Sequence, residues 1–384
     1  MKGLFIKLRN ILIRIIYKGV FRQIFFLFDP EFTHDTALLA GKILGSNPIT
    51  RTFSKLAFNY SHPSLEQTLL GIRFKNPIGL AAGFDKDAQL TAIIPNVGFG
   101  FSEVGSITGE PCKGNPKPRL WRLKKTKGLV VYSGLKNKGC EHIGKSLRRK
   151  KFSIPIGISI AKTNCKKTAK LEEGIKDYVK AHNELSDLGD YMTINISCPN
   201  AFGGKPFTSA KNLDMLLTEL EKVPIKSAIR RPVFLKLAPD LKNHQIDTIL
   251  KVASSHKIQG FICTNLTKDR KIPHIKKFIE KEDIPKLGGI SGKPIQHLSD
   301  KTLAYVYKKL KSQRKKYILM GCGGIFTAED AYRKIRLGAN LVQLITGMIF
   351  EGPQIVSEIN QGLVKLLKKD GFSSIKEAVG VDNK

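Results

Sequence analysis

From residue 72 onward the chain repeats one pattern: a short apolar run, a few small or polar residues, then an amphipathic stretch. The apolar runs are 77–83 (PIGLAAG), 99–107 (FGFSEVGSI), 154–160 (IPIGISI), 191–197 (YMTINIS), 232–238 (PVFLKLA), 260–265 (GFICTN), 317–323 (YILMGCG) and 341–347 (LVQLITG). Unbroken apolarity over so few residues is what a parallel strand covered on both faces requires. Between the runs, 208–223, 243–256, 298–313 and 327–337 carry helical periodicity. Eight strands alternating with helices predict an α/β fold, a closed (β/α)8 TIM barrel, over an open doubly wound sheet. No G-x-G-x-x-G follows the first run, which also speaks against a dinucleotide-binding sheet. Residues 108–153 and 266–316 are long gaps between runs. At the C-terminal ends of barrel strands such insertions build active-site loops and lids.

The first 28 residues stand apart. They hold Lys2, Lys7, Arg9, Arg14, Lys18 and Arg22 with no acid, among apolar residues such as Leu12, Ile13, Ile15, Ile16, Phe21, Phe25, Phe26 and Phe28. Positions 14, 18 and 22 step by four and share one helical stripe with Lys7. The charges interrupt any run of the about 20 apolar residues that spanning a bilayer requires. The expectation is a helix lying in a membrane interface, with basic groups toward anionic headgroups and the apolar face in the acyl boundary. Two other readings stand beside it. One is a helix packed on its own barrel; the other is an organelle presequence, Arg-rich and acid-poor but lacking serines. The expected division is a helical segment over 1–45 and the barrel over 46–384.

Length agrees with this division. A barrel takes about 250 residues, and 384 residues leave room for an appendage but give no sign of a second globular domain. The 65 basic and 32 acidic residues set a net charge of +33. Nucleic-acid binding would need clustered basic residues and a recognisable motif. The lysines are instead spread along the chain, so no nucleic-acid partner is expected. Cysteines stand at 112, 140, 165, 198, 263 and 322, without a C-x-x-C pair or zinc spacing. They read as reduced, mostly buried thiols, and no metal site is expected.

Chemistry collects where the runs end. Lys86, Ser106, Ser159, Asn195, Ser197, Cys198, Asn200, Lys236, Thr264, Asn265 and Thr346 all lie at or just after strand ends. Lys236 falls inside the FLKLAP strand, where a buried ammonium needs an anionic or carbonyl partner. Gly323-Gly324 and Thr346-Gly347 fall on the loops after the seventh and eighth runs, the usual phosphate site of this fold. With Gly288-Gly289-x-Ser291-Gly292 they point to a phosphorylated cofactor, because glycine lets backbone N–H groups approach a phosphate. Cys198 lies in a polar loop between Ser197 and Pro199. His34, His62 and His297 read as structural or exposed.

At AAGFDKD (81–87), GNPKPRLWRL (114–123) and NISCPN (195–200) the sequence resembles the dihydroorotate dehydrogenases. The resemblance continues through KLAPDL (236–241), CTN (263–265), GGISGKP (288–294), GCGGI (321–325) and LVQLITGMIFEGP (341–353), and covers roughly residues 28–365. The N-terminal helix, FDPE (28–31) and PKPRLWRL look like the membrane-associated, quinone-dependent (class 2) branch, whose N-terminal helices form a quinone tunnel beside the flavin. The resemblance implies FMN, held by Ala82, Gly83, Lys86, Ser106, Ser159, Asn195, Lys236, Thr264, Gly292, Gly324 and Thr346. It implies substrate contacts from Lys86, Asn195, Asn200 and Asn265, and a catalytic set of Cys198 as base with Lys86 and Lys236. The implied reaction oxidises dihydroorotate to orotate in de novo pyrimidine synthesis, with quinone as electron acceptor. The implied location is peripheral on the cytoplasmic side of the cell membrane, or on the mitochondrial inner membrane in a eukaryote, attached through residues 1–28.

The chain departs from that pattern at several points. Cys198 stands where the quinone-using branch usually has serine. The substrate loop reads VYSGLKN (131–137) where the family reads like NRMGFNN, so Val131 replaces a substrate-binding asparagine. Leu266 replaces a hydroxyl residue, Ser159 an asparagine near the flavin, and Ile345 a tyrosine near the phosphate. Each lost substrate hydrogen bond costs about 1–3 kcal/mol where a polar group is left unpaired. Lys136 is a candidate to restore the carboxylate contact. The departures keep open a flavin oxidoreductase acting on another cyclic amide or enoyl compound, and a membrane-associated homologue without catalysis.

Overall fold

The computed structural model describes residues 2–224 and 230–383. Eight parallel strands close into a barrel in chain order, β3-β4-β7-β8-β9-β10-β12-β13. They are β3 (Ile78–Leu80), β4 (Phe101–Ile107), β7 (Ile156–Ile160), β8 (Tyr191–Ile194), β9 (Val233–Leu237), β10 (Gly260–Cys263), β12 (Ile318–Cys322) and β13 (Leu341–Leu344). Each lies inside one of the eight apolar runs. A hairpin, β1 (Gln67–Leu69) and β2 (Ile72–Phe74), closes the N-terminal end, where Phe74 meets Phe101 edge-on at 5.5 Å.

Inward positions recur every second residue along a strand. Phe101, Tyr191, Phe234, Ile262, Met320 and Leu341 therefore form one apolar layer near the floor. Glycines make room for its rings: a Cβ on Gly79 would come within 2.3 Å of Phe101, and one on Gly157 within 2.1 Å of Tyr191. Two residues further along β4, β8, β9 and β13 stand Glu103, Thr193, Lys236 and Gln343, all buried. The second interior layer is thus polar, directly beneath the barrel mouth.

The ring outside the barrel comprises α6 (Leu171–Leu185), α7 (Ala210–Glu221), α8 (Asn243–Ser254), α10 (Gln296–Leu310), α11 (Ala328–Arg336) and α13 (Ile355–Lys369). Shorter helices α5 (Cys140–Leu147), α9 (Pro273–Ile279) and α12 (Thr346–Glu351) fill the connections. The two long insertions meet each other. β5 (Leu120–Leu123) and β6 (Gly128–Val131) of the first pair antiparallel with β11 (Gly289–Gly292) of the second, making a three-stranded sheet over the mouth.

The N-terminal segment is helical: α1 (Lys2–Ile16), a π turn over Tyr17–Phe21, α2 (Arg22–Phe25), α3 (Pro30–Ser46) and α4 (Pro48–Phe58). Asp29 caps α3 by accepting from the N–H groups of Glu31 and Phe32, and Pro30 holds the first helical position. Three cations of the basic stripe reach the barrel, while Lys7 stays exposed. Arg14 lies 3.6 Å from Glu358, Lys18 pairs with Glu351, and Arg22 donates to the Phe350 carbonyl at 3.2 Å. Acids of α12 and α13 offered these cations partners that periodicity along α1 could not reveal. The apolar side is left uncovered: Leu4, Leu8 and Leu12 of α1, Leu39 and Ile43 of α3, and Phe53 and Leu56 of α4 are all exposed. The exposed apolar surface therefore runs on past residue 28. Among the described residues no helix is long and apolar enough to cross a membrane.

Candidate active site

Two adjoining cavities open at the C-terminal ends of the strands, under the three-stranded sheet. The larger, about 930 Å³, runs from Ala82, Gly83 and Lys86 past Lys236 and Gln343 to Gly292, Gly323, Gly324 and Thr346. The smaller, about 620 Å³, is lined by Ser106, Asn195, Cys198, Asn200 and Asn265. Lys86, Lys236, Val131, Ser133 and Leu266 line both. Of the residues singled out from sequence, Ala82, Gly83, Lys86, Lys236, Thr264, Gly292, Gly324 and Thr346 gather in the first chamber. The substrate set gathers in the second.

Ser197 lines neither cavity, and nor does Ser159. Ser159 is fully buried in β7; its hydroxyl meets Ser106 Oγ at 2.7 Å. Of that hydroxyl pair, Ser106 is the member that lines the smaller cavity. Asn195 Nδ2 donates to Ser106 Oγ at 2.9 Å, so the wall forms one chain of hydroxyls and amide. Asn265 Nδ2 donates to Ser197 Oγ at 3.0 Å and Asn195 Oδ1 at 3.3 Å. Asn200 Nδ2 donates to the Val131 carbonyl at 2.8 Å, while its buried Oδ1 has no partner. That free acceptor suits a ligand N–H, since leaving such an atom unmatched costs stability.

Cations dominate the site. Among the described residues neither Lys86 nor Lys236 finds a hydrogen-bond acceptor for its ammonium. Asp85 and Asp87, which flank Lys86, are turned elsewhere: Asp85 accepts from the N–H groups of Gln89 and Leu90, and Asp87 from that of Lys138. Burial lowers the Lys86 pKa, and nearby Lys136 lowers it further. Burial also pushes Asp85 up to about 6 and the Cys198 thiol above its ordinary value. Lys136 does not offer its charge to the cavity alone, because Glu31 accepts from it at 3.0 Å.

Two features escaped the sequence reading. Glu103 and Gln343 lie in apolar-looking runs, and only the alternation of inward positions turns them to the interior. His34, read as structural or exposed, lines the larger cavity from α3, with its ring edge-on to Phe84 at 4.9 Å. Burial, with Lys86 nearby, drops its pKa to about 4, so it is neutral at pH 7.

A flavin mononucleotide fits these residues. Gly292 (φ +82°), Gly323 (φ +122°) and Gly324 (φ +73°) bring backbone close to one end of the cavity; a Cβ on Gly324 would meet Gln296 at 2.3 Å. Lys236, whose ammonium makes no hydrogen bond among the described residues, lines the other end.

The sequence matches the family described as "Dihydroorotate dehydrogenase" over residues 64–367. The chain belongs to the dihydroorotate dehydrogenase family. A relative from Trichodesmium erythraeum named dihydroorotate dehydrogenase (quinone) is 38% identical, covering 98% of this chain and 99% of its own. One of the same name from Sulfurovum is 37% identical over 94% and 97% of the two chains. The crystal structure of the Eimeria tenella dihydroorotate dehydrogenase in complex with ferulenol superposes with a TM-score of 0.80 at 29% identity, covering 93% of this chain and 96% of that one. Membership in this family makes the protein a flavin-dependent oxidoreductase.

Proposed function

We propose that this dihydroorotate dehydrogenase oxidises dihydroorotate to orotate through FMN in the larger chamber and passes the electrons to a membrane quinone. The observation that carries the reading is the convergence at one barrel mouth of Cys198, three asparagines and two lysines that make no hydrogen bond among the described residues, beside a glycine-lined end. FMN, when bound, supplies a two-electron acceptor for the hydride from substrate C6, and quinone later removes those electrons.

The chain's own groups do the rest. Cys198 Sγ, as thiolate, takes the C5 proton, so substrate loses a proton and a hydride and gains a C5=C6 double bond. Lys86 meets the substrate carboxylate, and Asn195, Asn200 and Asn265 hold the ring amides. Lys236, Thr264 and Ala82–Gly83 hold the flavin ring, while Gly292, Gly324 and Thr346 cradle its phosphate. Ser106, backed by Ser159, fixes Asn195 between the two ligands. The helical segment before the barrel serves quinone access: α3 puts His34 in the cavity wall, and the exposed apolar faces of α1, α3 and α4 suit a peripheral position on a membrane.

A second reading, oxidation of another cyclic amide or enoyl compound, has Val131 and Leu266 in its favour, since both put apolar groups into the shared wall. Steady-state turnover with dihydroorotate and a short-chain quinone separates the two. Saturable quinone reduction is expected; no turnover with flavin fully bound would favour the second reading.

A further inference from the structure

The barrel interior holds a buried carboxylate, paired with Lys236, that the reaction above does not use. Glu103, on β4, has no exposed surface, and Lys236, on β9, is 4% exposed. Lys236 Nζ lies 3.6 Å from Glu103 Oε1, close enough for an ion pair and too far for a hydrogen bond. The other carboxylate oxygen is fixed from two strands: Thr193 Oγ1 donates to Oε2 at 2.9 Å and Gln343 Nε2 at 3.2 Å. Oε1 is left with no hydrogen bond, and the ammonium it faces meets it only as an ion pair at 3.6 Å. The carboxylate is therefore anchored below, and the lysine stands above it with its donors free toward the flavin chamber.

We propose that Glu103 is a positioning residue acting through Lys236: it keeps the lysine charged beneath the flavin in both redox states. The inference rests on the placement of FMN proposed above. A buried ammonium without a counter-charge gives up its proton instead of staying ionised. With Glu103 beneath it, Lys236 carries its charge before reduction and meets the negative charge that reduction brings to the ring.

The other ionisable groups around Lys236 do not substitute for Glu103. Tyr191, on β8, is held well above its ordinary value by burial and then by Glu103 itself. Cys322, on β12, is raised by burial. Both are neutral near pH 7. Lys86, across the chamber, supplies no negative charge, and His34 on the far wall is neutral. Lys334, behind β12, already pairs with Asp300 at 2.6 Å. Thr193 and Gln343 are uncharged.

The test is the pH dependence of the flavin midpoint potential in the holoenzyme and in Glu103→Gln. In the wild type, two electrons and one proton enter the ring, and Lys236 neither gains nor loses a proton. In E103Q the lysine is neutral while the flavin is oxidised and takes up a proton when the ring becomes anionic. Proton uptake per two electrons then rises from one to two above neutral pH. Parallel slopes in two proteins that both carry stoichiometric flavin would overturn the inference while leaving the FMN reading intact. Wild-type protein that binds no flavin would overturn both.

A second measurement needs neither flavin nor the single E103Q variant. In Lys236→Met, Glu103 loses its counter-charge and takes up a proton, giving a carboxylic acid C=O band in the infrared difference spectrum against E103Q/K236M. Absence of that band would also overturn the proposal.

Discussion

Glu31 fastens α3 to the insertion that covers the active site, and its removal has a calculable effect. Arg119, 7% exposed, donates to Glu31 through Nε at 2.9 Å and Nη2 at 2.6 Å. Its Nη1 is held by the carbonyls of Lys113 and Asn115 at 2.9 and 2.8 Å, so the guanidinium is fixed before Glu31 meets it. Lys136 adds a second cation. The hydrogen bond from Arg119, then that from Lys136, lower the Glu31 pKa from 4.5 to about 2 against the opposing effect of burial. A fall of that size corresponds to about 3 kcal/mol, or about 2 kcal/mol after solvent screening at the edge of the site. Because the folded-state value is depressed, this stability is fully present above pH 4.5 and is lost as pH falls through about 2.

Glu31→Gln keeps an acceptor and removes the charge. At pH 7 it should raise the population in which α3 is undocked by about 30-fold. Amide hydrogen exchange over 30–46 reads that population directly. The difference from wild type should shrink toward pH 2, where Glu31 is itself protonated. Unchanged exchange in α3 at pH 7 would refute the view that this pair docks the helix.

Three further outcomes follow from the site and the surface. Cys198→Ala should slow flavin reduction by dihydroorotate about 10²–10⁴-fold without loss of bound flavin; because burial raises the thiol pKa, wild-type kcat/KM should climb as pH rises above neutral and that limb should vanish in the variant. Gly324→Ala places a Cβ against Gln296 at positive φ, so flavin recovered after gel filtration should fall below one per chain while the barrel stays folded by circular dichroism. Leu8→Glu with Leu12→Glu removes two leucines from the uncovered side of α1; at about 1.5 kcal/mol or more each, vesicle co-sedimentation should drop about 100-fold with flavin content unchanged.

The barrel was legible because strands buried on both faces write themselves as unbroken apolar runs, and each of the eight runs holds one barrel strand. That same signature hid Glu103 and Gln343, whose polar side chains point inward from strands that look apolar as a whole. The pairing of β6 with β11 joins segments about 160 residues apart, and no local pattern announces it. The amphipathic character of α1 was visible, but periodicity defines a polar face without saying what meets it. Glu351 and Glu358 lie over three hundred residues away in sequence and meet Lys18 and Arg14 of the basic stripe. Ser159 shows the same limit at smaller scale: a hydroxyl at a strand end can line no cavity, while Ser106, its hydrogen-bond partner, does.

The central claim, that the chambers hold a flavin reduced by dihydroorotate, is tested most directly by one anaerobic titration of the purified holoenzyme. Dihydroorotate added without any quinone should bleach the visible flavin band stoichiometrically, and a short-chain quinone added afterwards should restore it. A fully flavin-loaded protein whose band is unmoved by saturating dihydroorotate would contradict the account.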